Sequence, residues 1–325
     1  MYRTFFGLHL RPFDLTPDPA YLLLTPSHRE ALAVLQYGLM SRKGLIVLTG
    51  EAGTGKTTLL RAMQADAEGD PIFVTLTNPR LRRDEFVETI VHEFGIAPEA
   101  AQSKAHMLRE LRALLLQQLA HGRPSALIVD EAHALSDELL EEVRLLANLE
   151  TDSAKLLTTV LAGQPELADR LNESARWHLK QRVALRCALQ PLTPDETLLF
   201  VAARIRRAGG DPAEVFTQQA VQACHAHACG IPRLVCVICD NALIAAYAAG
   251  EKPVRAARVL EVCRDLDLSP QSAAGRAAHP IAAPASAAPR GEAARVPAGQ
   301  APAATRESGA MFSVFSQPRR AWFSR

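Results

Sequence analysis

A short apolar run, "GLIVLTG" (Gly44 to Gly50), runs directly into "EAGTGKTT" and then into "LLRAMQADA". The run is β-branched and bounded by glycines, as a buried parallel strand should be; the stretch after the turn has helical periodicity. Strand, glycine-rich turn and helix in that order match G-x-x-x-x-G-K-[ST] in the context the pattern requires. Glycines let backbone N–H groups curl around phosphate oxygens, and a helix N-terminus adds its partial positive charge. The candidate binding residues are therefore Gly50, Glu51, Ala52, Gly53, Thr54, Gly55, Lys56, Thr57 and Thr58. Lys56 is placed to reach the β- and γ-phosphates of ATP, and the Thr57 hydroxyl to ligate Mg²⁺.

Such a loop needs a sheet behind it. "PIFVTLT" (Pro71 to Thr77), "ALIVD" (Ala126 to Asp130), "KLLTTVLAG" (Lys155 to Gly163) and "VALRCALQPL" (Val183 to Leu192) read as four further strands. Helical stretches lie between them, one from Asp84, one from Ser103 to Gly122 and one opened by Ser136. Strands alternating with helices predict an α/β fold: a five-stranded parallel sheet with helices on both faces. From Thr193 the strands stop, and four helical stretches punctuated by glycine and proline predict a small all-helical lid. The expected organisation is an α/β nucleotide-binding domain over 1–192, a helical lid domain over 193–268, and a disordered Ala/Pro/Arg-rich tail over 269–325. The tail's closing "MFSVFSQPRRAWFSR" reads as a loose end or a short docking peptide.

"ALIVDEAH" carries the second half of the chemistry. An acid that ends an apolar strand sits at the carboxyl edge of the sheet, where open α/β sheets bind ligands. Asp130 can hold the Mg²⁺ hydration shell from there, and Glu131 is placed to polarise an attacking water. Three further polar residues stay open on the residues alone. Gln164 is either a contact to the γ-phosphate or a turn residue before Pro165; Arg182 is either an arginine finger for a neighbouring subunit or a surface charge. Arg233 either closes over the nucleotide or is a solvated charge at a helix end.

Composition narrows the partners. The chain has 325 residues, 48% hydrophobic and 22% charged, with a formal net charge of +1, which is no electrostatic footprint for a nucleic-acid binder. Residues 269–325 hold seven arginines against two glutamates, so the remainder carries −4. The opening "MYRTFFGLHL" lacks the pattern of an export signal, and the longest apolar stretch, "LVCVICDNALIAAYAA", is interrupted by Asp240 and Asn241. The expectation is a cytoplasmic protein with reduced thiols. Cys224, His225, His227, Cys229, Cys236 and Cys239 cluster enough to raise a zinc site, but Cys236 and Cys239 fall within an apolar helix, where small thiols pack as core.

Taken together these motifs resemble the AAA+ ATPases. The block "FFGLHLRPFDLTPDPAYLLLTPSHREALAVLQYGL" before the glycine loop is similar to the opening of general secretion pathway protein A (ExeA-like) ATPases, including the branch linked to exosortase/PEP-CTERM exopolysaccharide loci. The resemblance runs from Met1 to about Leu268. It implies Lys56 and Thr57 as Walker A, Asp130 and Glu131 as Walker B, Gln164 as sensor 1, Arg182 as the arginine finger with Arg186 close by, and Arg233 as sensor 2. It also implies ATP and Mg²⁺ as cofactors, self-assembly into a homo-oligomer, and partners among envelope secretion, pilus or polysaccharide-export proteins. In this family "DEAH" is a common Walker B spelling, so His133 needs no helicase explanation. Type II secretion members continue into a membrane helix and a peptidoglycan-binding domain; the shorter cytoplasmic form, at most peripheral at the inner membrane, is the nearer fit. The alternative is a DNA-binding AAA+ ATPase of the transposition or replication-initiation type, which calls for a basic face or a helix-turn-helix that the sequence does not display.

Overall fold

Leu45, Val47, Leu127, Val129 and Leu161 pack on one side of a sheet, while Ile46, Leu48, Ile128, Val160 and Ala162 pack on the other. That alternation is the period of two of a strand, and it means that both faces are covered. The structure is a computed structural model and describes residues 1–77, 81–96 and 103–268. The tail 269–325, expected to be disordered, lies outside the described residues.

The order along the chain is α1 (Tyr2–Phe6), α2 (Pro26–Met40), β1 (Leu45–Gly50), α3 (Lys56–Ala65), β2 (Ile72–Leu76), α4 (Arg83–Glu93), α5 (Lys104–Ala120), β3 (Ser125–Val129) and α6 (Asp137–Leu146). It continues through β4 (Thr158–Gly163), α7 (Glu166–Asn172), α8 (Trp177–Lys180), β5 (Val183–Leu189), α9 (Pro194–Arg207), α10 (Pro212–Val215), α11 (Gln218–Ala228), α12 (Pro232–Ala248) and α13 (Ala256–Asp265). The five strands are parallel in the order β2-β3-β4-β1-β5. The central strands β3 and β4 are buried at every position, whereas the edge strand β5 alternates. Helices α4, α5 and α6 cover one face, and α2 and α3 the other.

Two strands are shorter than their apolar runs. Leu156 donates its N–H to the Leu149 carbonyl, so β4 begins only at Thr158. Leu192 donates to the Gly230 carbonyl, which takes the chain off the sheet after Leu189. The contact is close: a Cβ on Gly230, at φ 71°, would stand 2.1 Å from the Leu192 carbonyl oxygen, so only glycine fits. The strand-free part has five helices rather than four. The extra one, α10, is a single turn started by Pro212 and capped by the Asp211 carboxylate.

Helices α9, α11, α12 and α13 build their own core, and Cys224, Cys236, Cys239 and Cys263 are buried in it. Burial pushes the Cys236 thiol up to about 11, which makes it an inert packing group. His225 and His227 bond to Thr197 and to the Leu268 carbonyl. The start of the chain joins this same core: Phe6, Leu8 and Phe13 pack with Phe200, Phe216 and Val235. Tyr2 donates to Asp240 at 2.7 Å, and His9 donates its N–H to the Ala208 carbonyl. Residues 14–25 then run from the helices to the glycine loop, where Arg61 donates to the Pro17 carbonyl at 2.7 Å.

Candidate nucleotide-binding site

The carboxyl ends of β1 and β3 bring the two halves of the site together. Thr57, in the first turn of α3, donates its hydroxyl to Asp130 Oδ2 at 2.6 Å. The other carboxylate oxygen of Asp130 accepts the Glu131 N–H at 2.9 Å, and the Asp130 N–H donates to the Leu76 carbonyl, tying the acid to β2. Asp130 is buried, with both oxygens bonded and oriented.

Lys56 is buried in the loop it starts from. Its ammonium donates to the Gly50 carbonyl at 2.8 Å and to the Glu51 carbonyl at 3.0 Å. Burial pulls its pKa below the ordinary lysine value, while the carboxylates of Glu131, Asp130, Glu166 and Glu51 act in the opposite direction. A cation held by two neutral carbonyls is poised to exchange them for an anion.

The loop is pressed from the far side by the helical part. Arg233, at the start of α12, donates its N–H to the Gly53 carbonyl at 3.2 Å. A Cβ on Gly53, at φ 83°, would stand 2.7 Å from the Arg233 Cβ. Glycine is required there by backbone shape and by space alike.

A cavity opens between the loop, α9, α12 and the segment 14–23. Gly53, Thr54, Gly55, Lys56, Thr57, Thr58, Glu131 and Arg233 line it. Tyr21, Leu192, Phe200 and Arg204 add an apolar and aromatic wall. The Arg204 guanidinium lies 4.8 Å from the Phe200 ring centroid and 5.0 Å from that of Tyr21, and donates to the Pro12 carbonyl.

Glu131 has a left-handed backbone, φ 54°, an uncommon conformation for a residue with a side chain and one that collects at functional sites. Its carboxylate lies 3.4 Å from His133 Nδ1, and the Gln164 amide donates to His133 Nε2 at 3.0 Å. Gln164 is thus joined to Glu131 through His133 and stands outside the cavity lining. Arg170 braces this loop from below, donating to the carbonyls of His133 and Leu135 at 2.7 Å each.

Arg182 is elsewhere. It precedes β5, whose first residue pairs with the start of β1, at the opposite end of the strands from the glycine loop. It is exposed, as is Arg186 within the edge strand β5. Sequence reasoning missed His28, Arg170 and Arg204, as well as the segment 14–23, none of which belongs to a phosphate-loop pattern.

A phosphate loop at the end of a parallel strand, a hydroxyl and an acid joined beside it, and a helical segment closing on the loop define a P-loop ATPase of the AAA+ class. The profile of the AAA domain family matches residues 39–171. Over most of its length the chain is similar to the general secretion pathway protein A (ExeA-like) AAA+ ATPases. It is 41% identical over 254 residues to general secretion pathway protein A of Aeromonas hydrophila, a match covering 78% of this chain and 46% of that protein. The chain thus spans about half the length of that relative. In fold it is similar to Cdc6p from Pyrobaculum aerophilum, with TM-score 0.60, 20% identity and coverage of 78% and 70% of the two chains. The Aeropyrum pernix ORC2 protein gives TM-score 0.58 at 18% identity, covering 78% and 71%. The Thermotoga maritima RuvB branch migration motor gives 0.51 at 15%, covering 74% and 69%.

Proposed function

We propose that the chain binds ATP between the sheet and the helical segment, hydrolyses it, and uses the cycle to energise or regulate a secretion, pilus or exopolysaccharide-export assembly. The observation that carries the chemistry is the 2.6 Å bond between Thr57 and Asp130 beside the buried Lys56. Two oxygen donors in contact suit a hard divalent cation, so Thr57 directly and Asp130 through water would hold Mg²⁺, which neutralises charge on the β- and γ-phosphates. Lys56 leaves its two carbonyl partners for the phosphates. Glu131 orients the attacking water, and His133 with Gln164 keeps its carboxylate in place. Arg233 couples the lid to the loop through the Gly53 carbonyl. Arg182, exposed and remote from its own cavity, is read as completing a neighbouring subunit's site in a homo-oligomer.

The secretion reading rests on the kinship with general secretion pathway protein A. Within it, the exosortase-associated branch, with a cytoplasmic protein at most peripheral at the inner membrane, is the finer placement we favour. Among the described residues no helix is long and apolar enough to cross a membrane. The deciding experiment is the ATPase rate against protein concentration, with and without duplex DNA, beside mass determination in solution. Cooperative activation and indifference to DNA support this reading; several-fold stimulation by DNA would replace it with a DNA-dependent ATPase.

A further inference from the structure

His28 stands in the first turn of α2, only 3% exposed, with both ring nitrogens bonded. Nε2 lies 3.1 Å from the Thr54 carbonyl oxygen, and Nδ1 lies 2.6 Å from the Thr25 hydroxyl. A carbonyl can only accept, so Nε2 carries the proton. A neutral ring then offers Nδ1 as an acceptor, and the Thr25 hydroxyl donates to it. Ser27 and the His28 backbone N–H donate in turn to the Thr25 oxygen, so its lone pairs are used as well. Burial holds the imidazole below its ordinary pKa, in keeping with a neutral ring.

The partner matters because of where it sits. The Thr54 carbonyl and the Gly55 N–H belong to one planar trans peptide and point in opposite directions. Drawing the carbonyl back toward α2 therefore turns the Gly55 N–H to the other side of the loop. Gly55 caps α3 at φ 101° and lines the cavity. Without a donor behind it, the buried carbonyl would lose its partner, and the peptide could rotate to find another.

We propose that His28 is a positioning residue for the phosphate loop: by donating from Nε2 to the Thr54 carbonyl it holds the 54–55 peptide with its N–H toward the phosphates, and through Thr25 it makes that orientation depend on the segment that arrives from the lid. The proposal rests on reading the loop as a nucleotide site. His28 borders the same cavity, but its Nε2 bond goes to the Thr54 carbonyl, and it acts through that peptide.

The test uses the full chain, with calorimetric titration of Mg–ADP and steady-state kinetics with Mg–ATP. His28→Leu is expected to weaken Mg–ADP binding and raise KM about tenfold, the scale of one buried hydrogen bond, with kcat within about twofold of the parent. His28→Gln, whose side-chain amide keeps a donor near Nε2, should recover most of that loss, which a packing role would not do. Thr25→Val, which removes the ring's partner together with the α2 cap, should weaken binding in the same direction and serves if His28→Leu fails to fold. Binding by His28→Leu or Thr25→Val equal to that of the parent overturns the proposal, as does a Gln variant as weak as the Leu variant. A parent chain that binds no Mg–ADP fails the nucleotide reading itself.

Discussion

The Thr57 hydroxyl donates to the Asp130 carboxylate across 2.6 Å, although 73 positions separate them. The bond joins the start of α3 to the end of β3 and puts two oxygen ligands in one place. Replacing Thr57 by Ala removes the hydroxyl and leaves the helix intact. Hydrolysis in Mg²⁺ should fall at least about tenfold, the scale of a lost bond to a charged group, while ADP binding in EDTA stays within about threefold. Equal losses with and without Mg²⁺ would assign Thr57 to the loop's shape instead.

Glu131 is read as the residue that orients water, and its carboxylate is exchangeable for an amide of the same size. Glu131→Gln should bind Mg–ATP about as tightly as the parent and hydrolyse it about a hundredfold more slowly. Single-turnover assays beside filter binding separate the two effects. Unchanged turnover would take Glu131 out of the chemistry.

Arg182 is exposed and far from its own cavity, so its loss should leave nucleotide binding untouched. Arg182→Ala should nonetheless lower ATPase activity by about a hundredfold or more, since an arginine acting on transition-state charge carries that weight. Mixing it with Lys56→Ala subunits should restore part of the rate by pairing an intact loop with an intact arginine. Arg186→Ala is the control: the same loss from Arg186 and none from Arg182 would move the role four positions along, into β5.

The buried His28 and the half-buried His225 set an acid limit on stability. Burial lowers the pKa of both His28 and His225; at His28 the Thr54 carbonyl and the Glu196 carboxylate partly oppose it. A histidine held low in the folded chain binds fewer protons there than when unfolded, so stability rises with pH through that window. Their contribution is complete above the ordinary histidine value of about 6.5 and is lost as pH falls from there toward the folded values. Melting temperature should therefore drop between neutral pH and about 5.5, and His28→Gln should flatten that drop. A melting temperature flat across the window would contradict the lowered pKa of both rings.

The chemistry-bearing half of the site was legible because its signals are local. Glycines, lysine and threonine follow one strand in eight positions, and two acids close another. Strand ends were less so: Leu156 and Leu192 are as apolar as strand residues and are buried, but their N–H groups bond to a loop and to the α11–α12 turn. His28 hid inside a pattern with its own explanation, since Thr25 and Pro26 already account for a helix start. Nothing in those residues shows that the ring's second nitrogen meets a carbonyl 26 positions ahead. Arg204 sits in the run "RIRR", which reads as a solvated helix end, yet it stacks on two aromatic rings from different parts of the chain. Gln164, open between two readings, meets His133 rather than the cavity.

The bond between Tyr2 and Asp240 spans 238 positions, and Phe6, Leu8 and Phe13 have their core partners in the same late stretch. On the ribosome these aromatic and aliphatic side chains emerge well before α9 to α13 and lack those core partners until the helices have been made. The sheet can assemble in the interval from contacts of shorter range. The segment over Tyr2 to Phe13 therefore closes after the sheet, and the nascent chain carries an apolar stretch that a chaperone can grip until those helices appear.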